Sequence, residues 1–232
     1  MQNFNNFKIK ILTTFLIAVI YMGWLLIPVV TYKNNLLMDL TTILVNGCLI
    51  LGLIFWFNRK IHIHTLFDFL IYVGFILYLF ILHHFVTYIN ITYFLVMEYL
   101  GIHTLPFNQI NLIPFKTTLN TFFGPIFAPV MVIQILGNLF LLTPFAFALL
   151  TLKITNRKKT TVLKLFVVSI GIEIFQLLNS YIVSGFKWGE SGRATDIDDV
   201  ILNTLSALIG VGIFNLYCLI TGKKPHQMYA MK

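Results

Sequence analysis

Six apolar stretches, each long enough to cross a bilayer as a helix, divide this 232-residue chain: Ile11 to Val30, Leu40 to Phe57, Leu66 to Phe85, Phe127 to Leu152, Thr161 to Val183 and Ile197 to Ile220. A segment in hydrocarbon has to satisfy its own backbone hydrogen bonds, which a helix does. The chain is therefore expected to be an all-α, polytopic membrane helix bundle of about six transmembrane helices. Hydrophobic residues make up 58% of the chain and charged residues 10%, far from the balance of a soluble domain. The first run is too long for a signal-peptide core and lacks a small-residue cleavage site, so it is expected to remain as a helix.

The basic residues give a direction to the crossings. Lys8, Lys10, Arg59, Lys60, Lys153, Arg157, Lys158 and Lys159, with Lys223, Lys224 and Lys232, fall on one side. Only Lys33, Lys116, Lys187 and Arg193 fall on the other. The positive-inside rule then places both termini in the cytoplasm and makes residues 101–129 a large outer loop between helices 3 and 4. Moving the basic cluster at Thr155 to Lys159 outside would break this pattern, so Val86 to Leu100 is expected to extend the third helix or to form an interfacial helix on the outer side. Residues 101–129 carry Pro106, Pro114, Pro125 and Pro129, which exclude one continuous helix. Apolar residues such as Ile113, Phe115, Phe122 and Phe123 suggest that this loop dips into the bilayer or lies over the bundle. The organisation expected is N-terminal helices over residues 1–100, a second membrane region over 101–221, and a basic cytoplasmic tail over 222–232.

Charge is scarce inside the spans, and where it occurs it forms a pattern. An ionised side chain at mid-membrane costs roughly 2.5 kcal/mol or more, which makes each one a candidate for function. Ser169, Glu173, Gln176 and Ser180 fall within about 60° on one helix face, and Asp196, Asp199, Asn203 and Ser206 within about 80° on the next. Two polar stripes are most economically satisfied by facing each other. Asn138, with Gln134 one turn before it, adds an amide from a third helix at a related depth. Pro144 is expected to kink that helix. Thr195 and Asp198 have capping-box spacing, so Asp198 is expected to start its own helix. Asp196 and Asp198 are expected close to water, and Arg193 is expected to pair with an acid or hold an anionic head group.

The residues Glu173, Gln176, Arg193, Asp196, Asp198, Asp199, Asn203, Thr204 and Leu205, in that spacing, resemble the signature of the VanZ-like family of bacterial membrane proteins. Asn111 to Phe115, Gly137 to Phe140 and Pro144-Phe145 agree with it. The match covers roughly Asn111 to Gly212, and it departs at Ala146 and Ser206, where the family is expected to have glycine. The resemblance implies a multi-pass protein of the bacterial cell membrane, in a family associated with low-level resistance to teicoplanin and related lipoglycopeptides.

Together these features point to a non-enzymatic envelope protein that engages a cell-wall lipid precursor or a lipophilic glycopeptide antibiotic at the outer leaflet. Its expected binding residues are Glu173, Gln176, Arg193, Asp196, Asp199, Asn203 and Asn138, with Asp198 and Asn111 secondary. The alternatives are an intramembrane enzyme working on a phosphate- or acyl-bearing lipid through Glu173 and Asp199, and a proton-coupled transporter using Glu173. An enzyme lacks an obvious nucleophile, and a transporter lacks an evident two-fold repeat. No cofactor or metal is expected, because no phosphate-binding loop, dinucleotide fingerprint or zinc motif is present. Cys48 and Cys218 have no cysteine or histidine at ligand spacing. His62 and His64 are expected in a solvated loop, and the neighbours His83 and His84 point apart on a helix. The formal charge of +8 sits at segment ends rather than on one face, so no nucleic-acid partner is expected.

Overall fold

The computed structural model describes residues 7–32, 35–104, 107, 110–125, 128–187, 189 and 195–222. In chain order they form α1 (Phe7–Tyr32), α2 (Leu36–Asn58), α3 (Leu66–Val86), α4 (Ile91–Val96), β1 (Ile110–Asn111), α5 (Lys116–Phe123), α6 (Pro129–Leu141), α7 (Thr143–Thr151), α8 (Lys158–Val183), β2 (Thr195–Asp196) and α9 (Ile197–Thr221). The chain is all-α apart from the two-residue strands. Six segments are long and apolar enough to cross a membrane: Phe7–Thr31, Leu36–Asn58, Leu66–Val96, Pro129–Thr151, Lys158–Val183 and Ile197–Thr221. The chain divides into two compact units, residues 1–100 with 186–188, and residues 101–185 with 189–232.

In the first unit α1, α2 and α3 enclose a polar knot. Lys10 is buried, and its Nζ donates to the carbonyl oxygens of Asn58 at 3.0 Å and Ile61 at 2.9 Å. The Asn58 carbonyl closes α2, where the helix leaves acceptors without partners and carries partial negative charge, and the Ile61 carbonyl lies in the loop just beyond. The Tyr72 hydroxyl donates to the Lys10 carbonyl at 2.8 Å, and Asn58 Nδ2 donates to Thr14 Oγ1 at 3.0 Å. The loop bearing His62 and His64 is anchored by the buried Ile61 and Ile63, and between and beyond them His62 is half-buried and His64 exposed to solvent. It leads into a capping box at α3, where Thr65 and Asp68 exchange side-chain to backbone hydrogen bonds.

Residues 86–100 do not extend α3. The helix stops at Val86, and residues 91–96 form a short helix of their own. The cause is on α2, where Asn46 accepts from the Ile89 amide at 3.0 Å and donates to the Ile89 carbonyl at 2.8 Å. Thr42 Oγ1 accepts from the Thr92 amide at 2.8 Å, and Asp39 accepts from the Thr92 hydroxyl at 2.7 Å. Two rungs of α2 side chains thus satisfy the backbone that a break exposes. The same unit includes Phe186, which bridges to Tyr99, and Lys187, whose Nζ lies 3.0 Å from Glu98.

In the second unit α9 is the central element, packed against α6, α7 and α8. As successive spans, α8 and α9 run antiparallel. The fourth span is broken between α6 and α7, at Leu142, where the expected kink falls two residues before Pro144. Proline is favoured in a first helical turn, so it opens α7 rather than bending one continuous helix. Ser206 on α9 holds the break: its hydroxyl accepts from the Leu142 amide at 2.9 Å, and its carbonyl accepts from the Thr143 hydroxyl at 2.9 Å. One turn on, a Cβ on Gly210 would lie 2.4 Å from the Thr143 carbonyl oxygen, so backbone and backbone meet there directly. Leu150, Phe214, Tyr217 and Cys218 form an apolar core further along.

Candidate functional site

The sequence places three aspartates within four residues where α9 begins, and the structure gives each a different task. Asp196 is the residue before the helix; its Oδ1 accepts from the Asp198 amide at 2.9 Å and so caps α9. It also accepts from Asn111 Nδ2 at 2.8 Å. Asn111 is brought there by a parallel pairing of β1 with β2, in which Ile110 lies opposite Thr195 and Asn111 opposite Asp196.

Asp198 does not cap its own helix. Its carboxylate reaches across to the start of α5, accepting from the Phe115 amide, the Thr118 amide at 2.9 Å and the Thr118 hydroxyl at 2.9 Å. The Thr195 hydroxyl makes no hydrogen bond among the described residues, so the expected capping box is absent. Physically, an anion is favoured wherever helix amides are unpaired, and α5 offers a second such end beside α9. Phe115 has φ of 63°, a left-handed conformation that is costly for a bulky side chain, and its amide bond to Asp198 holds it there. Asp196 and Asp198 are 6% and 2% exposed, which corrects the expectation that they lie near water. Protein has closed over them through Asn111, Thr117 and α5.

Asp199, the third, faces α6. The side-chain amides of Asn138 and Gln134 approach it as hydrogen-bond donors, so the i, i+4 pair seen in the sequence meets a single carboxylate. Glu173 on α8 is buried, and its Oε2 accepts from the Asp196 amide at 3.1 Å. Gln176 is buried less than one turn further along α8. On the other side of Glu173, Ser169 is 0% exposed, and Asn203 on α9 is 1% exposed. The Ser169 hydroxyl and Asn203 Oδ1 make no hydrogen bond among the described residues.

The two stripes thus meet, with Glu173, Asp196, Asp199, Asn203, Asn138 and Asn111 brought into one neighbourhood of the second unit. Arg193 lies outside the described residues, as do Trp188 and Gly192 of the same loop. The sequence reading missed Thr118 and Thr117. Thr118 bonds Asp198, and Thr117 Oγ1 accepts from Asn111 Nδ2 at 3.2 Å. Their signal was a pair of threonines just after Pro114-Phe115-Lys116, where polar residues at a short helix start satisfy each other. Among the described residues no group of three His, Cys, Asp or Glu side chains is arranged to hold a metal ion.

The arrangement can orient a polar head group at one end of an otherwise apolar helix pair. Carboxylates and amides in a low-dielectric setting give hydrogen bonds of high directional value. A model of the VanZ/LLP1 family matches residues 69–219, more than half of the chain. No curated protein and no solved structure matches the chain.

Proposed function

The chain belongs to the VanZ/LLP1 family, and from that premise we propose that this multi-pass membrane protein binds a lipid-linked cell-wall precursor, or a lipophilic glycopeptide antibiotic, without chemical turnover. The observation that carries this reading is a polar cluster inside spans that otherwise hold almost no charge, in which Asp199 takes hydrogen bonds from two side-chain amides of a third helix while Glu173 and Asn203 are buried on α8 and α9. Buried polar groups are retained against their cost where a ligand or a specific pairing uses them. Glu173 and Asp199 are the groups that contact the head group in this reading, with Asn138, Gln176 and Asn203 around them. Asp196, Asp198 and Asn111 hold the frame. Arg193 is the cation for an anionic part of the ligand.

Purified protein in nanodiscs, given a labelled polyprenyl-linked disaccharide peptide, should bind it and release it unchanged. Glu173→Gln and Asp199→Asn keep shape and remove charge, and each should weaken binding at least tenfold while the protein stays folded. Product formation that stops with a chelator and returns with a divalent cation would replace the binder by a metal-dependent enzyme.

The site faces the outer leaflet in this proposal, with both termini cytoplasmic, because basic residues concentrate on the opposite loops. A cysteine placed at Lys116 or at Lys187 should react with an impermeant maleimide in intact cells, in a background without Cys48 and Cys218. Reaction only after lysis would turn the site to the cytoplasm and exclude an outer-leaflet ligand.

A further inference from the structure

Below Glu173 the polar stripe continues into a place the reading above leaves without a task. The Glu173 contact to the Asp196 amide sets the register of the two antiparallel helices. At 1.5 Å per residue, Ser169 then lies about 6 Å below that contact, Asp199 about 4.5 Å and Asn203 about 10 Å. Ser169 and Glu173 are one turn apart on α8, and Asp199 and Asn203 one turn apart on α9, so the four groups occupy adjoining levels of the two helices, with Asp199 also reached from α6 by Asn138 and Gln134. Ser169 and Asn203 are almost completely buried, and the Ser169 hydroxyl and Asn203 Oδ1 have no hydrogen-bond partner among the described residues.

The chemistry of these atoms restricts what can sit between them. Asn203 Oδ1 only accepts, and a serine hydroxyl accepts or donates. Their neighbours Glu173 and Asp199 are carboxylates. A phosphate or carboxylate would be a further acceptor among acceptors and would be repelled by the two acids. A group with several N–H donors and a positive charge meets every requirement, and a primary ammonium has three such donors and no acceptor. A metal ion fits less well, since Glu173 already accepts from a backbone amide and Asp199 from two side-chain amides.

We infer that the level between Glu173, Ser169, Asp199 and Asn203 is an ammonium subsite, which takes a primary amine on the ligand and turns its phosphate away toward the loop end of α8 and α9. This rests on the binder reading, to which it adds the orientation and chemical class of the ligand. Lipid head groups and basic peptide side chains both carry such an amine, and the experiment separates them.

Two matched pairs of probes would be titrated against the full-length protein in nanodiscs, with native mass spectrometry as readout. One pair is phosphatidylethanolamine and its N-acetylated form, and the other is a lysine-containing polyprenyl-linked disaccharide peptide with its lysine amine free or acetylated. The free amine of at least one pair should bind ten times more tightly or better than its acetylated twin. Asn203→Leu should erase that preference, and Ser169→Ala should reduce it several-fold. Ser169→Ala should not lower thermal stability in ligand-free nanodiscs, because it removes a buried hydroxyl that has no hydrogen-bond partner among the described residues.

Equal binding of the free and acetylated forms in both pairs would overturn the ammonium subsite, and binding of the peptide pair would then leave the precursor reading standing. An amine preference confined to phosphatidylethanolamine, with no precursor binding, would support the subsite and overturn the precursor reading. A marked loss of stability in Ser169→Ala would overturn the subsite, since the hydroxyl would then be serving the fold.

Discussion

Replacing Asp198 by alanine should cost the folded protein roughly 3 to 5 kcal/mol and free α5 from the end of α9. The carboxylate takes hydrogen bonds from two backbone amides and one hydroxyl, in a residue 2% exposed to solvent. Bonds to a charged acceptor contribute about 1.5 to 3 kcal/mol each, and the amides left behind lose partners in a site that water does not reach. The left-handed conformation of Phe115 would also lose the bond that holds it. Asp198→Asn retains one acceptor oxygen and should lose less than half as much. Hydrogen exchange would localise the effect, with the Phe115 and Thr118 amides losing protection well before those of α8. If alanine and asparagine both fall within about 0.5 kcal/mol of the parent, the carboxylate is not what fastens α5.

The second large effect is expected at Gly210. An added Cβ would meet the Thr143 carbonyl oxygen at 2.4 Å and the Ala146 Cβ at 2.7 Å. The carbonyl is backbone, and the turn that carries it is tied to α9 through Ser206, so neither side can give way alone. Gly210→Ala should destabilise by about 2 to 3 kcal/mol, the upper part of the range for overpacking, and Gly210→Val by more. Gly171 and Gly212 supply the control, because a Cβ at either would touch nothing within 4 Å. Alanine there should be neutral or gain up to about 1 kcal/mol from helix propensity. Unfolding in mixed micelles separates the two cases. Equal effects at positions 210 and 212 would mean that α7 and α9 are further apart than described.

The parts of this architecture that were legible in the sequence are those encoded by local periodicity. Spans announce themselves by length, and Glu173, Asp199, Asn203 and Asn138 by recurring at helical spacing on otherwise apolar faces. What stayed hidden depends on pairing across distance. The partner of Asp198 is a helix start some eighty residues earlier, and nothing near Asp198 distinguishes an acid that caps its own helix from one that caps another. Lys10, Asn58 and Tyr72 join in space with no periodic signal linking them. The end of α3 is fixed by Asn46 and Thr42 on a different helix, so a reading of residues 86–100 alone had no means of finding it. The glycine expected at position 146 is an alanine whose Cβ is accommodated by Gly210 opposite. At position 206 a serine hydroxyl fastens the break in the fourth span.

That break gives the two halves of one membrane crossing unequal anchorage. In α7 the buried residues are Thr143, Phe145, Ala146, Ala148, Leu149, Leu150 and Thr151, whereas in α6 Ile135 is the buried residue. Each half starts and ends its own ladder of backbone bonds, so a tilt of α6 about Leu142 strains no hydrogen bond within α7. The half that carries Asn138 and Gln134 is tied to α9 through the Asp199 side chain, whereas α7 is held along its length by buried packing.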